Sequence, residues 1–434
     1  MAKNRADRTR KCLWAVFFSF LLPVSLCAQT GMLSPYSAFG AGAIQPYLNV
    51  RNMSMGGIAV GLSGSGDMNP FNPGTYRTGV DTLSVRFDIG FNIGMNRLQQ
   101  NVSGDKVKNQ STAGGLSNLE FYFPVCKWYK MAVYLLPVTD MYYRSSFLSD
   151  AGSNIGRTQL IHEGDGGLSK AGWGHSLGWG PVSVGVNFSY MFGSLDQTAT
   201  LAFLDDTLAY YAGQAKYYTE TKLNGFALDV GLTYAARIKA SQYLTIGAAY
   251  SLSSTLYGKR TTMAQGEFSS LTDTAFLPEA AKKGKIIFPS VLRAGISYEH
   301  RGQYVVGADV TYTWWKDYKD YGRTFDYLKN TLSVNVGAEL KHDPQANSKA
   351  RRVAYRIGGF YQQQCITDNG KQLQAFGLSL GVGIPVRKSR SVINVGLQYG
   401  RIGAVKKGQI QEDYLRIGVS FSSVETWFVK PKYD

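Results

Sequence analysis

An alternation of apolar with small or polar residues, with a period of two, runs through most of this chain. From Leu83 to Met95, apolar side chains occupy every second position, and Ser, Arg, Asp, Gly or Asn occupy the positions between them. The same pattern recurs from Val182, Phe226 and Leu415. A period of two is typical of β-strands with one apolar face. Helical periodicity is almost absent, so the chain is predicted to be all-β.

Two architectures give such strands, a β-sandwich and a transmembrane β-barrel. Strand length favours the barrel, because the segment from Leu83 is long enough to cross a hydrocarbon core of about 30 Å even when tilted. Aromatic residues also lie near strand ends, where outer-membrane barrels carry aromatic girdles. These pairs are Trp128–Tyr129, Tyr142–Tyr143, Trp314–Trp315 and Trp427–Phe428.

Connection lengths separate the two architectures further. Short turns such as 127–128 and 239–241 alternate with long connections such as 98–114 and 200–213. Short periplasmic turns and long external loops are a rule of outer-membrane barrels, and nothing in a sandwich requires them. We therefore expect residues 81–434 to form a transmembrane antiparallel β-barrel of about fourteen strands in the bacterial outer membrane.

The amino terminus has the pattern of an export signal. A basic segment, Lys3 to Lys11, precedes the apolar run Leu13–Leu22 and small residues ending at Ala28. The apolar run is too short to span a membrane as a helix. Residues 1–28 are therefore predicted to be a signal peptide. Cys27 leaves a lipoprotein signal open, although Leu26 before it fits that signal poorly.

The basic net charge of the chain indicates which anionic partners to expect. Five basic residues and one acidic residue lie in the signal segment, so the formal charge falls from +16 to +12 on its removal. An exported chain is not expected to bind nucleic acid. Outer-membrane lipid and lipopolysaccharide are the expected anionic partners, and solvated Lys and Arg on loops explain the charge equally well.

Residues 29–80 do not alternate and are rich in Gly, Asn, Pro and Met. They are few for a folded domain and carry few charges for a disordered tail. A barrel of fourteen strands also has a lumen too wide for its own side chains to fill. We expect these residues to form a hatch, or plug, inside the lumen; a periplasmic domain and a free tail are the alternatives.

The layout resembles the FadL-type transporters of hydrophobic compounds, which have fourteen strands and an amino-terminal hatch. The residues that carry the resemblance are Arg51, Met53, Met55, Gly56 and Gly57 of the hatch, Asn72 and Pro73 before the first strand, and the stretches Gly164–Ser169 and Gly185–Ser194. The opening Ser34–Ser37 and closing Trp427–Lys430 are similar to a Bacteroidetes-type branch of that family.

The resemblance implies passive uptake of a hydrophobic small molecule, similar to a long-chain fatty acid, with lateral release at a kink in the third strand. Pro137 lies in the middle of the predicted third strand, and proline cannot donate a ladder hydrogen bond. Asp140 would be costly if it faced lipid. We hypothesise that Pro137, Val138, Thr139 and Asp140 mark the wall opening. The alternative is a simple bulge with Asp140 facing the lumen.

Eight charged residues are expected to face the lumen, where they either hold the plug through ion pairs or meet a carboxylate ligand. They are Arg86, Asp88, Asp229, Arg293, Asp309, Glu339, Arg356 and Arg416. The four histidines fall in no metal-ligand spacing and no nucleophile motif. We expect no enzyme activity, no metal and no cofactor.

Two functions remain open. One is a monomeric transporter, and the other is a non-transporting barrel that acts as a scaffold or partner in protein export and surface assembly. A continuous apolar cavity that reaches the wall near Pro137 would favour transport, and a fully sealed lumen would favour the scaffold.

Overall fold

The computed structural model describes most of the chain. The described residues are 32–45, 49–62, 69–77, 84–102, 105–150, 156–204, 214–268, 271–276, 280–341, 352–368, 370–386, 389–405 and 409–426. The predicted signal peptide 1–28 and the motif Trp427–Lys430 lie outside them. No helix within these ranges is long and apolar enough to cross a membrane.

Fourteen strands, three of them interrupted, form the wall. They are β1 Ser84–Val102, β2 Asp105–Cys126, β3 Tyr129–Asp140 and Tyr143–Asp150, β4 Arg157–Trp179, β5 Val182–Phe203, β6 Gln214–Lys239, β7 Gln242–Ser251 and Ser254–Phe268, β8 Ala280–Phe288 and Val291–His300, β9 Tyr304–Thr313, β10 Thr331–Leu340, β11 Ala354–Asp368, β12 Lys371–Pro385, β13 Val392–Ile402 and β14 Ile410–Thr426. Each strand pairs antiparallel with the next, and β14 pairs with β1, which closes the barrel. The predicted fold class is confirmed.

The remaining elements of the described residues are short. Among these residues one helix, α1 (Val50–Ser54), precedes the barrel. Three 3₁₀ turns cover Pro35–Ala38, Pro73–Arg77 and Trp315–Asp317. Three short strands cover Ala43–Ile44, Leu271–Phe276 and Lys319–Asp320.

The alternation in the sequence becomes an apolar outer face and a small or polar inner face. On β6, Phe226, Val230 and Leu232 are exposed on the outside, whereas Asp229 and Thr233, at the alternate positions of the strand, are buried. The same exposed apolar positions recur around the wall on β1, β5, β8, β10, β12 and β14. Large exposed apolar side chains on every part of a closed barrel form the belt that faces lipid in a membrane.

The predicted external connection 98–114 is wrong. β1 continues to Val102 and β2 begins at Asp105, so these residues form a hairpin that extends the sheet. Beyond the lipid, both faces of a strand meet water and no apolar alternation is required. The polar run from Asn101 to Ser111 therefore gave no strand signal.

The aromatic pair at the end of β9 is divided between two environments. Trp314 contacts the outer aromatic residues Tyr250 and Tyr312, as expected for a girdle. Trp315 is only 5% exposed and packs on Phe288 in a cluster at the external mouth. The girdle assignment of Trp315 is therefore wrong, because the 3₁₀ turn that begins there rotates its side chain inward.

Candidate lumenal channel and wall opening

The described residues of the amino-terminal segment contact the wall strands at several places. Asn49 caps α1 by accepting a hydrogen bond from the Asn52 backbone N–H. The helix lies against β11, β12, β13, β14 and β1, and Met53 and Met55 are fully buried. The helix is therefore buried against five wall strands.

Glycines on the inner face provide room for this close approach. A Cβ added at Gly358 would lie 2.2 Å from the backbone N of Gly56. A Cβ at Gly337 would lie 2.2 Å from the carbonyl O of Met55. The φ of Gly56 is +70°, in the left-handed region that favours glycine. The small residues of the alternating pattern thus allow two backbones to pack directly.

A buried ion triad fixes the segment to the wall. Arg51 Nε donates to Glu339 Oε2 at 2.8 Å, and Arg51 Nη2 donates to Glu339 Oε1 at 2.8 Å. Arg356 Nε donates to Glu339 Oε2 at 2.6 Å, and its Nη1 donates to Asn394. Glu339 is 4% exposed, so its charge is compensated only because both guanidinium groups are in place.

Backbone groups of the segment are held by two further side chains. Asp309 Oδ2 accepts from the backbone N–H groups of Ala59 at 2.5 Å and Val60 at 2.8 Å. Asn72 Nδ2 donates to the Val60 carbonyl at 2.8 Å, and Asn72 Oδ1 accepts from the Gly74 N–H. Together they fix the turn between α1 and the first barrel strand.

The other predicted lumenal charges lie on the inner face with different partners. Asp88 accepts from Asn118 and Ser422, and Arg86 lies on the same face of β1. Asp229 is paired with Lys170 at 2.6 Å, a residue that the sequence interpretation missed. In the alternating pattern of β4, Lys170 occupies one of the positions that face the lumen. The alternation alone could therefore have predicted its location.

Arg293 and Arg416 lie beside aromatic rings. The guanidinium of Arg293 lies 4.5 Å from the centroid of the Phe71 ring, and its Nη1 donates to Ser251. The guanidinium of Arg416 lies 4.7 Å from the Tyr414 ring centroid. These positions allow cation–π contacts.

The ladder between β2 and β3 ends well below the external mouth. It runs from Cys126 opposite Tyr129 to Leu119 opposite Leu135. Above that pair, β2 forms a ladder with β1 and β3 forms a ladder with β4, but no ladder joins β2 to β3 among the described residues. The wall therefore has an unpaired edge on each side of a gap.

Pro137 lies at the lower end of this unpaired edge. It faces Ser169 of β4, and the register shifts between Pro137 and Thr139. β3 is then interrupted at Met141 and Tyr142 before it resumes. A residue without a backbone N–H fits an edge of this kind.

The amino-terminal segment covers the gap from inside. The short strand Ala43–Ile44 pairs with Asp140 and Thr139, and the Gln45 N–H donates to the Val138 carbonyl at 2.9 Å. Thr139 and Asp140 therefore have partners that β2 does not provide.

The other side of the gap is also held by this segment. The Leu33 N–H donates to Ser111 Oγ of β2 at 3.2 Å, and the Leu33 carbonyl accepts from Asn96 of β1. Ser34 Oγ donates to Glu412 of β14 at 2.5 Å, and the Ser34 N–H donates to the Tyr142 carbonyl of β3. Residues 33–45 thus bridge both edges of the gap.

Two adjoining cavities lie at this place. One, of about 180 Å³, lies in the lumen above the segment and is lined by apolar residues such as Phe39, Phe71 and Phe360 and by charged ones. The other, of about 340 Å³, lies at the gap and is lined by Leu116, Leu135 and Pro137 among others. Both cavities are lined by Met32, Gln45, Asp140 and Arg416. Because they share these residues, the lumenal cavity and the cavity at the gap lie next to each other, and both have amphipathic walls.

No group of three or more His, Cys, Asp or Glu residues within the described ranges is arranged to hold a metal ion. The lining residues of the two cavities combine apolar side chains with charged ones.

A closed antiparallel barrel with an apolar outer belt and a small or polar inner face defines an integral β-barrel protein of the bacterial outer membrane. The family follows from the sequence: the BamG family profile matches residues 9–434, and this chain belongs to the BamG family. No curated protein matches it.

Solved structures with the same fold are distant in sequence. CymD, a monoaromatic hydrocarbon channel, is 16% identical with a TM-score of 0.56, and the match covers 88% of this chain and 97% of that chain. The toluene transporter TodX of Pseudomonas putida is 16% identical with a TM-score of 0.56, covering 89% and 99%. A FadL homologue of Pseudomonas aeruginosa is 15% identical with a TM-score of 0.58, covering 89% and 100%.

These likenesses establish the FadL-type fold for this chain. Membership of a Bacteroidetes-type branch stays a prediction.

Proposed function

We propose that this protein is an outer-membrane channel for hydrophobic small molecules that leave sideways through the gap between β2 and β3. The observation that carries the proposal is the end of the ladder at Leu119 and Leu135, with a cavity at the gap. The named functions of the hydrocarbon channels that share the fold support the same class of ligand.

The proposed route has three parts. A ligand enters at the external mouth and reaches the cavity above the hatch, which we assign to residues 29–80. The hatch blocks direct passage to the periplasm, because its backbone is packed against Gly337 and Gly358. The ligand then passes Asp140 and Arg416, which line both cavities, and leaves between β2 and β3.

The lining of the lumenal cavity indicates which chemical classes of ligand could bind. Phe39, Phe71 and Phe360 offer apolar surface, whereas Arg293 and Arg416 offer positive charge. A long-chain carboxylate and a small aromatic hydrocarbon both fit apolar walls, but only the carboxylate would pair with an arginine.

Uptake in a gene-deletion strain tests this function. Cells that lack the protein should accumulate a radiolabelled monoaromatic hydrocarbon or long-chain fatty acid more slowly, and the wild-type gene should restore the rate. Unchanged uptake of both probes would refute the transport function, and a loss for one probe would identify the ligand class.

A second function has its own supporting observation. β4 to β7 continue beyond the apolar belt, and their extension carries a hollow of about 390 Å³ lined by Leu160, Leu201 and Tyr217. Exposed apolar surface above a membrane is typical of a protein interaction site. We propose, as the alternative, a scaffold in protein export or surface assembly.

Photo-crosslinking in intact cells tests the alternative. A photoreactive amino acid at Tyr217 should give a protein adduct, and the same group at the exposed Lys371 of β12 should not. No adduct at Tyr217, with intact surface proteins in the deletion strain, would refute the scaffold.

A further inference from the structure

Three lysines from three different strands lie side by side on the wall. Lys222 of β6 is the register partner of Lys259 of β7, and Lys259 is the partner of Lys283 of β8. All three are exposed. Because neighbouring strands lie about 4.8 Å apart, the three Cα atoms span roughly 10 Å.

Lys285 extends this group on the same face. It lies two residues from Lys283 along β8, and its register partner is Tyr257. Residues two apart on a strand share a face, so the four side chains form one basic patch. We call Lys222, Lys259, Lys283 and Lys285 the lysine patch.

The lysine patch is on the outside of the barrel. On β6, Lys222 shares its face with Phe226, which is 79% exposed in the apolar belt. On β7, Lys259 shares its face with Tyr257, which is 65% exposed. The inner face of the same strands carries buried residues instead, including Leu223 and Leu256. The patch therefore faces the surrounding membrane and not the lumen.

Its height coincides with the outer lipid headgroups. Tyr234 lies near the periplasmic end of the exposed face of β6, opposite Val182, the first residue of β5, and twelve residues from Lys222. At about 3.3 Å per residue and a tilt of about 40°, Lys222 lies roughly 30 Å above Tyr234. An apolar belt is about 25 Å tall, so the lysines lie just above it.

The positive charge is largely uncompensated by the protein. Lys222 Nζ lies 2.9 Å from Glu220 Oε1. Among the described residues, no carboxylate lies within ion-pair distance of Lys259, Lys283 or Lys285. Like charges on facing positions of adjacent strands are destabilising, and an anion between them would remove the repulsion.

A neighbouring acidic row determines where that anion fits. Asp165, Asp196 and Glu220 are register partners one step further from the membrane, on β4, β5 and β6. The two rows share only β6. An anionic group is therefore favoured over β7 and β8, beside Lys259, Lys283 and Lys285.

We propose that the lysine patch binds the phosphate groups of a phosphorylated glycolipid in the outer leaflet, such as lipopolysaccharide. The ammonium groups contact the phosphates, and the acyl chains pack below on Tyr257 and Phe226. A free phosphate ion would use the lysines alone, whereas a lipid uses both the charge and the apolar surface beneath it. Binding of this kind would orient the barrel and crowd lipid against β6 to β8.

The test measures retained glycolipid on the full-length protein. The protein is purified in neutral detergent, mixed with lipopolysaccharide in mixed micelles, and examined by native mass spectrometry. We expect the variant K259Q/K283Q/K285Q to retain at least about tenfold less lipopolysaccharide than the wild type, because basic residues near an anionic surface add to binding individually. The difference in retained lipopolysaccharide between the variant and the wild type should be smaller at high salt, because salt screens the charges and weakens binding by the wild type as well.

Two matched variants control for charge and folding. K106Q/K108Q/K371Q removes three exposed lysines outside the patch and should retain lipopolysaccharide like the wild type. K259R/K283R/K285R keeps the charge and should also bind. Heat-dependent migration on a gel verifies that each barrel is folded.

Three results would overturn the proposal. The first is equal retention by the wild type and K259Q/K283Q/K285Q. The second is an equal loss in K106Q/K108Q/K371Q, which would mean that net charge alone governs binding. The third is displacement of the lipid by millimolar inorganic phosphate, which would mean that the patch is a site for free anions.

Discussion

Leu119 of β2 and Leu135 of β3 form the last pair of the ladder between these strands. The ladders of β1 with β2, of β4 with β5 and of β5 with β6 continue much further toward their external ends. The position of this pair fixes the lower edge of the opening, and Pro137 lies two residues above it.

Replacement of Pro137 tests what keeps the edge open. Pro137→Ala restores a backbone N–H, so the β2–β3 ladder should extend above Leu135 and narrow the gap. Hydrogen exchange at the amides of residues 116–118 should slow several-fold.

Pro124→Ala is the matched control, because Pro124 lies in the paired part of β2 opposite Lys130. It should leave exchange at residues 116–118 unchanged. Unaltered exchange in both variants would show that the proline does not hold the gap open.

Gly358 tests the packing of the amino-terminal segment on the wall. In Gly358→Ala the new Cβ would meet the Gly56 backbone at 2.2 Å, and backbone atoms cannot move aside cheaply. We expect faster amide exchange over residues 50–60 and a lower melting temperature.

Gly359→Ala is the adjacent control. Its Cβ would meet only the Leu378 side chain at 3.3 Å and the Gly377 carbonyl at 3.4 Å, so the effect should be small. Similar behaviour of the two variants would contradict direct backbone packing.

The buried triad at Glu339 gives a charge-based prediction. Glu339→Gln removes the carboxylate that pairs with the two buried guanidinium groups of Arg51 and Arg356, and removal of one partner from a buried ion pair typically costs about 3–5 kcal/mol. Limited proteolysis should then cleave the amino-terminal segment faster while the barrel stays intact.

Asp413→Asn breaks the more exposed pair with Arg401 and serves as the comparison. It should cost about 1 kcal/mol or less and leave the proteolysis unchanged. Equal protection of the segment in E339Q and wild type would argue that the triad does not anchor it.

Much of the wall could be predicted from the sequence, because a face toward lipid forces apolar residues at every second position. Phe226, Val230 and Leu232 show this directly, and their exposure confirms the inference. Val102 and Asp105 were missed because strands beyond the lipid are not subject to that constraint.

The site was predictable only where local chemistry determines it. Pro137 signals an edge by itself, since it lacks a backbone donor. The partners of Asp229 and Thr139 depend instead on register between distant strands, so Lys170 and the strand Ala43–Ile44 were not recognised. The same holds for the lysine patch, because Lys222, Lys259 and Lys283 lie on three strands and are separated by tens of residues in the sequence.

Uptake through a blocked gap tests the central claim most directly. Leu116→Trp places a bulky side chain in the cavity between β2 and β3, whereas Leu378→Trp makes the same change on the exposed outer face of β12, where Leu378 is 69% exposed. In a deletion strain that expresses either variant at equal levels, uptake of the hydrophobic probe should fall several-fold with L116W and stay at the wild-type rate with L378W. Equal, undiminished uptake with both variants would contradict lateral release through this opening.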